Sequence, residues 1–174
     1  MITASMWQKN IWYYDFPFGK FAVAEDGSGI TDICLATDLL TGILNPCETP
    51  LLRQAQHQLS GYFCGSLRQF SLPLSLRGTK FQLAVWSALQ NIPYGETKSY
   101  KQVAKVVGSP QASRAVGMAN HRNPVMIVIP CHRVIGTNGS LVGYSGGVAL
   151  KEKLLALESG AIALKAEPGG EGLE

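Results

Sequence analysis

The chain has no aspartate beyond Asp38, and between residues 80 and 165 its only carboxylates are Glu96, Glu152 and Glu158. A two-metal nuclease or polymerase centre needs clustered carboxylates, so this half cannot build one. Cysteine and histidine are also scarce, four and three among 174 residues. Cys34, Cys47, Cys64 and Cys131 form no C-x-x-C pair, which with so few histidines argues against tetrahedral zinc, and a chain with this much apolar core needs no disulfide framework. The first three therefore read as reduced and structural. No apolar run approaches the roughly 20 residues of a membrane-spanning helix. Residues 1–10 lack a basic segment followed by a long apolar one, so no secretory signal is read. Glycine-rich phosphate loops of the P-loop or dinucleotide type are missing too, as are internal repeats. The expectation is a cytoplasmic or nuclear protein with no membrane contact.

What the chain does have is apolar content and an uneven charge. Hydrophobic residues make up 46%, enough for real cores. Residues 1–79 carry five basic and six acidic side chains, residues 80–165 carry ten and three, and residues 166–174 carry three glutamates and no base. The net charges are thus −1, +7 and −3, and the basic block suggests a polyanion partner for its half.

Short alternating runs at 11–15, 20–25 and 30–36, punctuated by Pro17-Phe18-Gly19 and Asp26-Gly27-Ser28-Gly29, predict an antiparallel meander. Thr49 followed by Pro50 predicts a helix start, with Leu52, Ala55, Leu59, Tyr62 and Phe63 as its apolar stripe before Gly65. Residues 71–78 read as a linker. A second helix over 80–91 has Thr79 as cap, with Phe81, Ala84, Val85, Ala88, Leu89 and Ile92 inward. Tyr100, Val103, Ala104 and Val107 then recur at helical spacing up to Gly108. A helix restarts at Ser109-Pro110 with Ala112, Ala115, Val116 and Ala119 inward. This pair is either a helix-turn-helix or an ordinary helical hairpin. Residues 125–129 read as a buried strand. Residues 133–135 and 140–144 read as a hairpin across Asn138-Gly139, which would make the unit a winged helix. The last helix runs from after Ser145 to near Gly160, with Leu150, Leu154, Leu155 and Leu157 inward and Lys151 and Lys153 outward. Residues 166–174 read as a disordered tail.

Cys131 sits in Ile129-Pro130-Cys131-His132-Arg133-Val134. It leaves a strand through a proline, lies in the basic half, and has neighbours that favour thiolate. An ordinary thiol with a pKa of about 8.5 is only a few per cent ionised at neutral pH and needs such help. The alternative is a small buried cysteine beside a surface histidine, because adjacent residues of an extended strand face opposite ways. If His132 has an acidic orienter, Glu158 is a better candidate than Glu152, which lies between two lysines. Around Arg114 the helix carries small residues (Ala112, Ser113, Ala115, Gly117). Either the backbone enters a narrow groove with Arg114 projecting, or the helix makes a tight contact with another.

The stretch Pro130–Val134 closely resembles the signature of the O6-alkylguanine-DNA alkyltransferases, or methylated-DNA–protein-cysteine methyltransferases. Phe81-Gln82, Val85-Trp86, Ile92-Pro93-Tyr94-Gly95-Glu96-Thr97, Ser113-Arg114-Ala115-Val116-Gly117, Asn123-Pro124 and Gly143-Tyr144-Ser145-Gly146-Gly147 support the resemblance. It is dense over residues 78–158 and looser over 16–73.

The resemblance implies an α+β protein. A small antiparallel sheet with helices forms an N-terminal ribonuclease H-like domain (1–76), and a helical winged helix-turn-helix domain follows (77–165). It implies DNA repair by direct, stoichiometric and irreversible transfer of an alkyl group from O6-alkylguanine to Cys131, with O4-alkylthymine left open as a second substrate. Cys131, His132, Glu158, Tyr100 and Asn123 are then assigned to the chemistry. Arg114, Tyr100, Ser113, Ala115 and Gly117 are assigned to the DNA minor groove and the flipped base. Cys131, Val134, Tyr144, Ser145 and Met126 are assigned to the alkylguanine pocket. The partner is double-stranded DNA bound by a monomer, and no cofactor is implied. Two departures stand out. His57 is the only histidine before residue 80, so the zinc site of some relatives is not expected. Met126 also stands where some relatives carry proline.

Overall fold

The computed structural model describes residues 8–38 and 40–164, so the tail expected at 166–174 lies outside the described residues. Gln8–Phe16 (β1) and Gly19–Glu25 (β2) form a hairpin in which Phe16 pairs with Gly19, leaving Pro17 and Phe18 to make the turn. Ile30–Leu35 (β3) runs antiparallel to β2, while Ile43–Pro46 (β4) lies parallel to β1, giving the order β3-β2-β1-β4. The first three strands fall where alternation places them. The fourth is only four residues long, sits at an edge and contains Asn45 and Pro46, so it has little strand pattern to read.

Pro50–Phe63 (α1) starts as the sequence predicts, with the Thr49 side chain accepting from the Leu52 amide. All five residues of its apolar stripe are buried, in one cluster with Phe21, Val23 and Ile33 of the sheet. A leucine or phenylalanine of this stripe contributes about 1.5–3 kcal/mol when fully removed from water. The segment read as a linker is pinned rather than loose. Ser71 exchanges two hydrogen bonds with the Gln58 side chain. The Ile30 amide donates to the Pro73 carbonyl, and the Ser75 amide donates to the Ile30 carbonyl.

Lys80–Gln90 (α2) begins with a reciprocal Thr79–Gln82 capping box. Its inward side is Val85, Trp86 and Leu89, with Ile92 just beyond. Ala84, expected inward, is exposed. Trp86 takes its place because the indole N–H reaches the Ala119 carbonyl at 2.8 Å. Lys98–Ser99 (β5) leads into Tyr100–Val106 (α3), which has a second capping box from Ser99 and Gln102. The next helix, Ser113–His121 (α4), starts later than Ser109-Pro110 suggested, because a turn closed by the Ala112 amide on the Ser109 carbonyl precedes it. Val116, Ala119 and Asn120 face inward, whereas Ala115 is exposed at the rim of that stripe.

Three further expectations are corrected. Residues 125–129 form no strand, because the chain turns sharply at Ile127, whose φ is 74°. The 140–144 half of the expected wing hairpin does not form: Val134–Ile135 (β6) pairs in parallel with β5 instead. Residues 136–147 are irregular, since five glycines and the φ of 65° at Gly143 interrupt any ladder. Lys151, expected outward, is 0% exposed on Val148–Glu158 (α5). Helical spacing puts it on the face of Leu154 and Glu158, where its ammonium finds the Val134 carbonyl at 2.6 Å and the Val142 carbonyl at 3.2 Å.

One hydrophobic cluster runs through both halves of the chain. Its seam is hydrogen-bonded: the Ile33 amide donates to the Pro124 carbonyl at 2.9 Å, and the Met126 amide donates to the Ile33 carbonyl at 3.0 Å. Met126 is therefore fixed at the seam through its backbone. Among the described residues no helix is long and apolar enough to cross a membrane.

Candidate active site

Two tight turns in succession present Cys131. The Val128 amide reaches the Met126 carbonyl at 2.9 Å across Ile127, a γ-turn with its central residue in the left-handed region. For a β-branched residue this conformation costs on the order of 1–3 kcal/mol. An unstrained inverse γ-turn follows at Pro130 (φ −80°, ψ 62°), where the Cys131 amide reaches the Ile129 carbonyl at 2.8 Å. Asn123 over-determines the arrangement. Its side-chain oxygen accepts from the Val125 amide, and its Nδ2 donates to the Ile129 carbonyl at 2.8 Å and to Cys131 Sγ at 3.0 Å. The neighbouring Asn120, which the sequence did not single out, donates to the Cys131 carbonyl at 3.3 Å.

Cys131–Arg133 form one turn of 3-10 helix. Successive side chains there are about 120° apart rather than opposed. His132 and Arg133 both bury against Glu158. The contact of His132 Nε2 with Glu158 Oε1 is 2.6 Å, and Arg133 adds Nε to Oε2 at 2.9 Å and Nη2 to Oε1 at 3.0 Å. Burial opposes ionisation of Glu158, yet the bonds from His132 and Arg133 outweigh it and hold the carboxyl at about 2. Burial also lowers His132 below its ordinary value, so the imidazole is neutral at neutral pH. A neutral ring bonded through Nε2 to a carboxylate carries its proton there. That leaves Nδ1 a bare acceptor, buried with no hydrogen-bond partner among the described residues.

The sequence credited His132 and Arg133 with favouring thiolate at Cys131. The structure differs: burial pushes the thiol up to about 11, and the groups that pull it back are chiefly the Asn123 amide and the Lys151 ammonium. Ionisation must therefore accompany the reaction rather than precede it. In the free protein, iodoacetamide at neutral pH is expected to label exposed Cys47 and half-buried Cys64 well before Cys131. Cys64 is favoured further because the Ser66 side chain stabilises its thiolate. Peptide mapping of a time course checks the order, and labelling of Cys131 first would contradict the buried-thiol description.

Tyr144 is buried, and its pKa is raised by burial and by the Cys131 thiol beside its hydroxyl. Val134 is buried, its carbonyl already accepting Lys151, while Ser145 is half-buried. Tyr100 donates to the Val142 carbonyl at 2.9 Å, the acceptor it shares with Lys151. Two donors on one carbonyl thus tie residues 136–147 over a sulfur that is 0% exposed. Outside this closure lies a groove of about 410 Å³ lined by Tyr100, Ser113, Arg114, Gly117, Met118 and Val142, among others. Arg114 and Ala115 are exposed on α4. A Cβ on Gly117 would lie 3.8 Å from the Tyr100 ring, ordinary contact, so no neighbouring helix demands glycine there. Cys131, His132, Glu158 and Asn123 thus form one buried cluster, Tyr100 bridges it to the groove, and Arg114 stands on the groove wall.

Two family profiles match the chain: the 6-O-methylguanine DNA methyltransferase ribonuclease-like domain over residues 11–76, and the DNA binding domain of the same name over residues 80–160. The methylated-DNA–protein-cysteine methyltransferase of Methanosarcina acetivorans is 57% identical over 153 residues, covering 83% of this chain and 95% of that one. The constitutive enzyme of that name from Bacillus subtilis is 48% identical over 82% of this chain and 90% of its own length. The crystal structure of Mycobacterium tuberculosis OGT in complex with DNA superposes with a TM-score of 0.79 at 43% identity, covering 88% of this chain and 93% of that one.

Proposed function

We propose, from the premise that this chain belongs to the 6-O-methylguanine DNA methyltransferase family, that it repairs DNA by moving the alkyl group of O6-alkylguanine onto Cys131. The observation that carries the reading is the buried thiol held at 3.0 Å by Asn123, one residue from a histidine paired at 2.6 Å with a carboxylate. The Cys131 sulfur forms a bond to the alkyl carbon as the carbon–O6 bond breaks. The thiol proton passes through a bridging water to the bare Nδ1 of His132, and guanine leaves with a proton from the Tyr100 hydroxyl. Glu158 and Asn123 are positioning residues, one holding the imidazole and the other the turn. The product is a thioether, which no group here can cleave, so each molecule acts once.

Residues 77–165 are the working unit on DNA, and the described residues of the domain at 1–76 share a core with it. The small-residue start of α4 lies in the minor groove of double-stranded DNA, and Arg114 fills the place of the flipped base. Flipping costs a few kcal/mol, which that filling offsets. The base reaches Cys131 only when residues 136–147 release from Tyr100 and Lys151. It then rests against Val134, Tyr144 and Ser145, with Met126 at the far wall. The protein works as a monomer, on nucleoid DNA in the cytoplasm of a bacterium or on nuclear DNA in a eukaryote.

Incubation with a duplex containing O6-methylguanine tests the reading. One methyl on the peptide containing Cys131, at no more than one turnover, is expected. Repeated turnover, or bound DNA without modification, overturns it. Arg114→Ala should slow repair of duplex DNA by about tenfold or more, the loss of roughly 1.4 kcal/mol from the flipped state, and leave reaction with free alkylguanine base nearly unchanged. Equal losses on both substrates would remove Arg114 from base flipping.

A further inference from the structure

Glu158 is gripped from both halves of the chain. Besides His132 and Arg133, its Oε1 accepts the Tyr62 hydroxyl at 2.7 Å, and its Oε2 accepts the Gly95 amide at 3.1 Å. Tyr62 comes from α1, at the far side of the seam from the alkyl-accepting cysteine. Its ring is wholly buried against Phe63, Phe70, Tyr94 and the His132 imidazole. The hydroxyl also lies 3.4 Å from His132 Nε2, but that nitrogen already donates to the carboxylate, so the proton of the phenol goes to Oε1.

We infer that Tyr62 is a positioning residue for the alkyl transfer, through which the N-terminal half holds Glu158 against His132 and limits the proton affinity this carboxylate lends to the imidazole. The inference rests on the alkyl-transfer reading above. Oε1 divides its lone pairs among three donors, and each donor weakens the pull on the other two. Burial and the adjacent carboxylate keep the Tyr62 phenol protonated at any working pH, so it is a constant donor. His132 is further faced by Arg133 on its own turn and Lys151 from α5, both cations that oppose a second positive charge. Tyr94 packs beside Tyr62 from the turn after α2. With the Tyr62 hydroxyl removed, Oε1 accepts more strongly from Nε2–H and stabilises the imidazolium. Nδ1 is then occupied by a proton over a wider acid range, and the thiol loses its acceptor there.

The test uses the full chain, a duplex containing O6-methylguanine and single-turnover rates across pH, with the His132 imidazole titration followed by nuclear magnetic resonance. Tyr62→Phe keeps the ring packing. It is expected to move the acid limb and the His132 titration upward by about half to one pH unit, with transfer about three- to tenfold slower on the acid side and little change on the plateau. Phe70→Leu loosens packing on the same ring and leaves the hydroxyl in place. It should lower thermal stability without moving the limb. A Tyr62→Phe profile that superposes on the wild type, or falls by one factor at every pH, overturns the inference. So does a limb shift of equal size in Phe70→Leu. If the wild-type chain transfers no methyl, the alkyl-transfer reading fails by itself, and the His132 titration still decides the role of Tyr62.

Discussion

Cys131→Ser should bind duplex DNA containing O6-methylguanine as the wild type does and transfer nothing measurable. The substitution changes one atom in a fully buried site, so the Asn123 contacts, both turns and the groove around Arg114 stay in place. The chemistry does not survive. A hydroxyl is far less acidic and less nucleophilic than a thiol, and a neutral imidazole with a bare Nδ1 is a weak base for it. The other cysteines cannot substitute: Cys34 lies in the sheet, Cys47 beyond β4 and Cys64 at the end of α1. Electrophoretic binding together with peptide mass mapping checks both halves of the prediction. Methyl found on any residue of the variant would remove Cys131 as the acceptor, and lost binding would show that the thiol also maintains the DNA-facing structure.

Glu158→Gln should cost stability about as severely as any single change in the chain, on the order of 3–5 kcal/mol. Arg133 is buried, with two of its nitrogens on Glu158 and another on the Ile92 carbonyl, so neutralising the carboxylate leaves an uncompensated cation in the core. Glutamine cannot repair this by shape. Tyr62, His132, Arg133 and the Gly95 amide all donate into the site, and an amide NH2 in place of either oxygen faces donors. Against a total of about 5–15 kcal/mol, such a loss lowers Tm by roughly 10 °C.

The pH dependence has a definite sign. The folded carboxyl ionises at about 2 against an ordinary 4.5, so its contribution is complete above 4.5 and is lost as pH falls toward 2. His132, lowered from 6.5 by burial, acts in the same direction and begins to cost stability below 6.5. Urea unfolding measured across that range should show a steep acid loss in the wild type and a shallower one in Glu158→Gln. Equal unfolding free energies for the two proteins at neutral pH would contradict the buried-pair account.

Local patterns carried far in this chain. The Thr49-Pro50 start, the Thr79 cap and the alternation of the first three strands are short-range effects, written in adjacent residues and reproduced in the fold. Glu158 rather than Glu152 meets His132, as the lysines flanking Glu152 suggested. Charge was a poorer guide. Lys151 read as a surface residue, because nothing local announces two backbone carbonyls waiting under α5. Glycine was misleading in the other direction, since Asn138-Gly139 signals a hairpin while the glycines that follow deny it a second strand.

The sequence by itself determined the chemistry on offer: one cysteine beside a histidine in a basic half without clustered carboxylates, and a signature specific enough to name a family. Only the tertiary structure decided how that chemistry is held. Reactivity at Cys131 depends on burial, on a γ-turn at Ile127 and on a carboxylate shared by residues as distant in sequence as Tyr62 and Arg133. These are effects of desolvation and long-range contact. They act through space between residues whose order along the chain carries no trace of their proximity, and so they become visible only once the chain has closed on itself.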